Sequence, residues 1–494
     1  MIYFSFLIFF WFARSIKSIF FWLYLWQLKE YHIGRFLDHF RTAKGKELLF
    51  NKLLGVKLLL LAGIFIYPEA SFYVLSLVYF LELVKALTDA LYGKLRRPVS
   101  TSKILLLIAI ILAIEIIFAW AIFSYPKDFS SFISGLLIFD ILLPIVVSVI
   151  VLALQPLVVL GRNRIIKKAR IKREKFKDLM VVGITGSYGK TSTKEMLYTI
   201  LSEKFKVLKT KEHQNSEIGI SQCILNELRP EHQIFICEMG AYNRGGIKLL
   251  CSIAEPKIGI LTGINEQHMA TFGSQENIIK GKYELIESLP QDGIAFFNGK
   301  NRYCRELYEK TKIKKILYAT IPCEAGRENI LGVIAVAEEL GMSSEEIGRG
   351  IKKVKDKIPG IQIKNGINGL KILNATYSSN PDGVAAHLEG LRRFPGKKII
   401  IMPCLIELGK ASGEVHRKIG RKIGEVCDLA IITTKDRFKE IKDGAGEKVI
   451  FMERPEEIFE KIKSFTREGD IVLLESRVSH SMNLTNQLIR LLTP

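Results

Sequence analysis

The sequence predicts an all-α, multi-spanning membrane region followed by two α/β units, and three observations carry that prediction. Residues 1–160 are dominated by Leu, Ile, Phe, Val, Trp and Tyr, whereas charged residues crowd the remainder. From about residue 178, short apolar runs alternate with amphipathic stretches, the pattern of strands and helices around a parallel sheet. At the head of that pattern, VVGITGSYGKTSTKEM (181–196) reads as a buried strand, a glycine-rich turn and a helix. A length of 494 residues accommodates about three such domains.

Five apolar segments, roughly 3–26, 52–67, 70–88, 104–123 and 134–160, approach the ~20 residues that a spanning helix needs. The second is short. The first carries Arg14 and Lys17 and is also compatible with lying along the interface. Alternate loops are basic: Lys29, Arg35, Arg41, Lys44, Lys46 and Lys52 after the first segment, then Lys94, Arg96, Arg97 and Lys103 after the third. Positive loops stay on the cytoplasmic side, so the N-terminus is expected outside and the soluble part in the cytoplasm, integral to the cytoplasmic membrane. Glu82, Lys85, Glu115 and Asp140 interrupt the apolar runs. An intrahelical Glu82–Lys85 pair one turn apart, with the others near helix ends, is the economical reading against a polar pathway.

A basic linker is expected over 161–177, where GRNRIIKKARIKREK matches anionic lipid headgroups. The net charge of +21 is spread widely and lacks aromatic-interleaved or zinc-ligand patterns, so no nucleic-acid partner is expected. Seven scattered cysteines without CxxC spacing suit reduced thiols. A cleavable signal peptide is not expected, because Arg14 and Lys17 sit mid-run and no small-residue cleavage site follows.

In the soluble part, strands are expected at 180–184, 234–238, 258–262, 294–297, 370–374, 398–402, 428–433 and 470–474. Helices are expected at 327–340 and near 343–354. PGIQIKNGING (359–369) is rich in turn residues and marks a boundary, giving domains 178–358 and 359–494. The turn TGSYGKT puts free backbone N–H groups of Gly186, Ser187, Tyr188 and Gly189, with Lys190, Thr191 and Ser192, where they can surround a polyphosphate. Thr191 can offer its hydroxyl to Mg²⁺. Glu238 ends a strand, His268 follows another, and Lys282 lies in a helix-like run. Acidic and imidazole groups at strand ends are where open α/β sheets build their sites.

The ordered motifs TGSYGKTSTKE, NSEIGI (215–220), EMGA (238–241), NEQH with TFGS (265–274), KGKYEL (280–285), NPDG (380–383) and IELG followed by His416 resemble the Mur ligase family, its MurF branch in particular. The resemblance covers about 178–494 and implies a P-loop ATPase domain, a Rossmann-like C-terminal domain, ATP and two Mg²⁺ ions. It implies that Lys190 and the turn hold the phosphates. Thr191 and Glu238 would take the first Mg²⁺ and His268 the second. Lys282 matches a lysine that members carbamylate. Asn215, Ser216, Tyr377 and Asn380 fall on the substrate and domain-closure side, and Arg327 and Asn329 at the nucleotide. The activity implied is amide-bond formation through an acyl phosphate, on a UDP-linked or lipid-linked peptidyl cell-wall precursor plus an amino acid or dipeptide, at a membrane face with lipids as partners.

Three departures from the family stand out. The membrane region replaces a soluble UDP-sugar domain. Ile361, Ala375 and Cys404 replace an arginine and two acidic residues, with Arg327 or Arg477 as substitutes for the arginine. The stretch from Asn298 to Gly326 is short. A polyglutamate-type ligase and a weakly catalytic scaffold for cell-wall enzymes remain open as alternatives.

Overall fold

Helices apolar on every side can pack only against one another or against lipid, and the described residues between 2 and 173 are helical almost throughout. The computed structural model describes residues 2–124, 128–211, 214–320, 328–354, 362–375, 380–475 and 492. The chain separates into two compact units, 1–161 and 162–494.

The first unit contains α1 (Ile2–Leu28), α2 (Ile33–His39), α3 (Ala43–Leu49), α4 (Lys52–Ile64), α5 (Pro68–Leu91), α6 (Ser102–Ser124) and α7 (Phe129–Ala153), followed by α8 (Gln155–Arg173), which runs past its end. Four stretches are long and apolar enough to cross a membrane: Ser5–Leu28, Pro68–Leu91, Ser102–Ser124 and Phe129–Arg173. The expected segment at 52–67 is not among them. It folds as α4, whose 13 residues reach only about 20 Å against the ~30 Å hydrocarbon core.

Charge placement explains how α1 joins this bundle despite its basic residues. Arg14 pairs with Asp140 of α7 and lies 3.6 Å from Glu82 of α5. Lys57 of α4 meets Glu82 at 2.9 Å and Asp140 at 2.8 Å. The Tyr79 ring stacks beneath both cations at 5.7 Å. Glu82 is thus paired across helices, not with Lys85 along its own. Burial decides this: a salt bridge to Lys85 would leave Arg14 and Lys57 sharing the single carboxylate of Asp140 inside the bundle. Glu115 of α6 is fully buried next to Ser15 and Arg14. Trp11 donates to the Leu136 carbonyl at 3.1 Å and Trp26 to the Ser148 hydroxyl at 3.1 Å, fixing α1 against α7.

The second unit opens with the end of α8, where the basic cluster expected as a linker is helical and packed. Arg173 donates to the Ala254 and Phe176 carbonyls and Lys172 to those of Leu225 and Leu228. There follow β1 (Met180–Thr185), α9 (Lys190–Leu201), β2 (Val207–Lys209), α10 (Glu217–Glu227), β3 (Ile234–Glu238), α11 (Gly246–Ala254), β4 (Ile258–Leu261), α12 (Met269–Phe272), α13 (Gln275–Glu287), β5 (Ile294–Asn298), α14 (Arg302–Lys310), β6 (Lys314–Tyr318), α15 (Glu328–Glu339) and α16 (Ser344–Val354). These strands form one parallel sheet in the order β2-β3-β1-β4-β5-β6. The chain then builds β7 (Gln362–Asn365), β8 (Lys371–Asn374), α17 (Pro381–Leu391), β9 (Lys398–Met402), α18 (Ser412–Val426), β10 (Leu429–Ile432), α19 (Phe438–Ala445), β11 (Val449–Phe451), α20 (Pro455–Phe465) and β12 (Ile471–Leu474). Its sheet runs β11-β10-β9-β12-β8-β7, with only the β7–β8 pair antiparallel.

Central strands such as IFICE of β3 and LAII of β10 are buried along their whole length, because helices cover both faces of a parallel sheet. In the first sheet the chain order reverses around β1, which pairs with β3 on one side and β4 on the other. The crevice beyond the C-terminal ends of strands at such a reversal is where ligands bind in open α/β sheets.

Candidate active site

Three loops leave the C-terminal ends of β1, β3 and β4, and each contributes chemistry. The first is the glycine turn. Gly186 and Gly189 have φ of 154° and 75°, and a Cβ at Gly189 would come within 2.9 Å of the Asn329 amide. Glycine is therefore required there both for conformation and for the approach of Asn329. Ser187 N–H donates to the Gly263 carbonyl at 2.7 Å, and its hydroxyl accepts from Asn265 N–H at 3.2 Å, tying this turn to the loop after β4. Gly189 caps α9, so Lys190, Thr191 and Ser192 form the first helical turn. Lys190 currently donates to the Gly186 carbonyl at 2.8 Å.

The second loop starts at Glu238, the last residue of β3. Thr191 Oγ1 donates to Glu238 Oε1 at 3.1 Å and Asn215 Nδ2 to the same oxygen at 3.3 Å. Lys194 Nζ lies 3.1 Å from Oε2. Burial raises the Glu238 pKa, but the charges of Lys190 and Lys194 outweigh it, and the carboxyl stays below its ordinary range. Ser216 caps α10 by accepting from Gly219 N–H at 3.3 Å, which steadies the loop bearing Asn215.

The third loop holds His268, in a left-handed conformation (φ 68°) at the head of α12. Its Nδ1 is 2.7 Å from Glu407 Oε2. Burial, reinforced by the charges of Lys282 and Lys190 and opposed by Glu407, pushes its pKa down to about 4. The imidazole is neutral at pH 7 and retains a lone pair for a metal. Lys282 on α13 is wholly buried, 3.4 Å from the Ala241 carbonyl. Burial first, then the charge of Lys190, pushes it down to about 7. Among the described residues no carboxylate lies within salt-bridge distance of Lys282. His268, Lys282 and Lys190 thus act on one another electrostatically, while Thr191, Glu238, Asn215 and Lys194 form a directly bonded cluster.

Asn380 caps α17, accepting from Gly383 N–H at 3.0 Å. It also meets Asn265 Nδ2 at 3.4 Å, and that amide donates to Asp382 at 2.8 Å. Asn329 is buried against the glycine turn. Arg327, Tyr377, Ile361, Arg477 and the boundary at 358/359 lie outside the described residues. His416 is structural: its Nε2 accepts from Leu405 N–H at 2.9 Å and its Nδ1 meets the Ser412 carbonyl at 2.6 Å. Sequence reasoning missed Lys194, Asn265, Asp382 and Glu407 as site residues. Lys194 lies one helical turn beyond Lys190, a spacing that could have placed it on the same side of the helix.

Among the described residues no three His, Cys, Asp or Glu side chains cluster for a metal. The Thr191 hydroxyl and the ionised Glu238 carboxylate, 3.1 Å apart, are nevertheless oxygen donors that fit a hard cation already carrying phosphate oxygens. The neutral His268 imidazole is a further donor, and Lys282 would offer oxygen only as a carbamate.

Two family models match the chain, one described as the Mur ligase middle domain over residues 184–364 and one as the Mur ligase, glutamate ligase domain, over 361–477. A UDP-N-acetylmuramoyl-tripeptide–D-alanyl-D-alanine ligase of Bacillus subtilis is 26% identical over 334 residues, covering 60% of this chain and 72% of the relative. In fold, the chain is similar to the crystal structure of MurF from Acinetobacter baumannii, with a TM-score of 0.61 at 24% identity, covering 67% of this chain and 80% of that one. MurF ligase from Thermotoga maritima, crystallised in complex with ADP, gives a TM-score of 0.58 at 26% identity, covering 67% and 83%.

Proposed function

Residues 184–477 place this chain in the Mur ligase family as an ATP-dependent ligase, and from that premise we propose that it forms an amide bond on a peptidyl cell-envelope precursor through an acyl phosphate. The observation that carries this reading is Lys282, a fully buried lysine held near pKa 7 beside a phosphate cradle. Its neutral amine can add CO₂, giving a carbamate that is anionic where an unmodified lysine would be neutral or cationic.

The N–H groups of residues 186–189 and Lys190 bind the terminal phosphates of ATP. Thr191 and Glu238 would hold one Mg²⁺, and His268 with carbamylated Lys282 a second. Such ions neutralise phosphate charge that would repel an incoming carboxylate. A substrate carboxylate oxygen attacks the γ-phosphorus, the bond to the β-phosphate oxygen breaks and ADP leaves. An amine then attacks the acyl carbon, the C–O bond to phosphate breaks, and amide, phosphate and a proton are released. Lys190 supplies charge as the phosphoryl group transfers, and the Asn265–Asn380–Asp382 contact brings the loops of the two sheets together over the reactants.

The first unit spans the membrane in this reading through its four long apolar stretches, with the ligase in the cytoplasm. The precursor is lipid-linked or UDP-linked, and D-alanyl-D-alanine, the dipeptide in the relative's name, is the first amine to test. ADP release by the full-length chain in detergent, assayed with either precursor plus D-alanyl-D-alanine, should require both substrates and fall at least about a hundredfold in Lys190→Ala. ADP release driven instead by glutamate and a non-envelope acid would move the assignment to the polyglutamate type.

A further inference from the structure

We propose that Glu407 is a positioning residue for the ligation. In this proposal its carboxylate fixes the tautomer and direction of His268, so the metal site is complete only when a loop of the second sheet docks on the first. The inference rests on the reading of His268 as a metal ligand and adds a residue to it.

The geometry is specific. Glu407 follows β9 of the second sheet and reaches His268 of the first, 139 residues earlier, at 2.7 Å. A carboxylate can only accept, so Nδ1 carries the hydrogen and Nε2 keeps the lone pair. Among the described residues Nε2 makes no hydrogen bond, in contrast to His416, whose two nitrogens are both occupied by backbone. A carboxylate on one imidazole nitrogen with the other left open is the arrangement that orients and strengthens a metal-binding histidine.

The backbone is committed to the same contact. Ala270 N–H donates to the Glu407 carbonyl at 3.2 Å. Gly409 packs so closely on Met269 and Ala270 that a Cβ there would come within 3.1 Å of the Ala270 nitrogen. Glu407 itself has φ of 65° and His268 of 68°, a conformation that costs a non-glycine residue of order 1 kcal/mol or more. The surrounding loop is anchored independently by His416 to Leu405. Removing the carboxylate therefore leaves the loop's backbone contacts in place.

The test is Mn²⁺ binding to the full-length chain in detergent, followed by electron paramagnetic resonance with a non-hydrolysable ATP analogue present. Glu407→Ala should weaken one Mn²⁺ step by about 10–100-fold without changing affinity for the analogue alone. Glu407→Gln, which still accepts from Nδ1, should recover most of that loss. In His268→Ala the same step is lost and adding Glu407→Ala costs nothing further. An unchanged step in Glu407→Ala, equal losses in the Gln and Ala variants, or additive losses with His268→Ala would each overturn the inference while leaving His268 as a ligand. If His268→Ala loses neither step, the metal reading of His268 falls and the inference with it.

Discussion

Both units bury ion pairs, but among the described residues the second also buries a lysine with no carboxylate at salt-bridge distance. In the first, Arg14 and Lys57 each face Glu82 and Asp140, a closed square of two cations and two carboxylates drawn from α1, α4, α5 and α7. In the second, Lys194 and Glu238 are buried as a pair, but Lys282, wholly buried and acted on by the charge of Lys190, lacks a carboxylate at salt-bridge distance among the described residues. The square is internally compensated, so it has no electrostatic need for a ligand and specifies which helix faces which. Lys282 is held at a cost that addition of CO₂ would relieve.

The largest effect that could break this contrast lies at Lys282. Lys282→Ala should lower turnover by roughly a hundred- to a thousandfold. Because burial brings the amine down to about 7, it is mostly neutral above pH 7 and mostly protonated below. CO₂ adds only to the neutral form. The bicarbonate needed for half-maximal activity should therefore rise as pH falls through 7, and steady-state assays in CO₂-depleted buffer would read it. A bicarbonate requirement independent of pH would remove Lys282 from the site.

Next comes the square. Asp140→Ala leaves two buried cations short of a partner and should destabilise the first unit by about 3–5 kcal/mol, whereas replacing all four charged residues with Leu or Met should be near neutral. All four tryptophans, 11, 22, 26 and 120, belong to this unit, so their fluorescence during denaturation in detergent reports it separately from the ligase. The smallest effect is expected at Lys17, three residues from Arg14 on α1. Its 2.7 Å bridge to Asp89 is 33% and 28% exposed at the two side chains, and Lys17→Ala should cost under about 1 kcal/mol by the same fluorescence. A loss as large as that of Asp140→Ala would mean that location, not pairing, sets the cost.

The eight strands legible in the sequence occupy the interiors of the two sheets, and the four that were missed, β2, β6, β7 and β11, are their four edges. The reason is physical. An interior strand must be apolar on both faces, as IFICE is, whereas KKILY and QIKN carry polar residues that an edge can send to solvent. The same division runs through the site. The glycine turn and Glu238 are local signals, written into a strand and the residues directly after it. Glu407 is a contact across 139 residues, and the only local signal for Lys194 was its spacing of one helical turn from Lys190. Pairing of Glu82 with Lys57 in place of Lys85 was invisible for a related reason. Sequence spacing shows which partners are near along one helix, but not which foreign cation is buried without another partner.

The left-handed backbone at Glu407 has an evolutionary corollary. Glycine or asparagine would sit there more comfortably, so a library screened for heat resistance alone should enrich both at that position. Glutamate can persist there only under selection for turnover, and a lineage released from that selection would betray itself by losing the residue before it lost the fold.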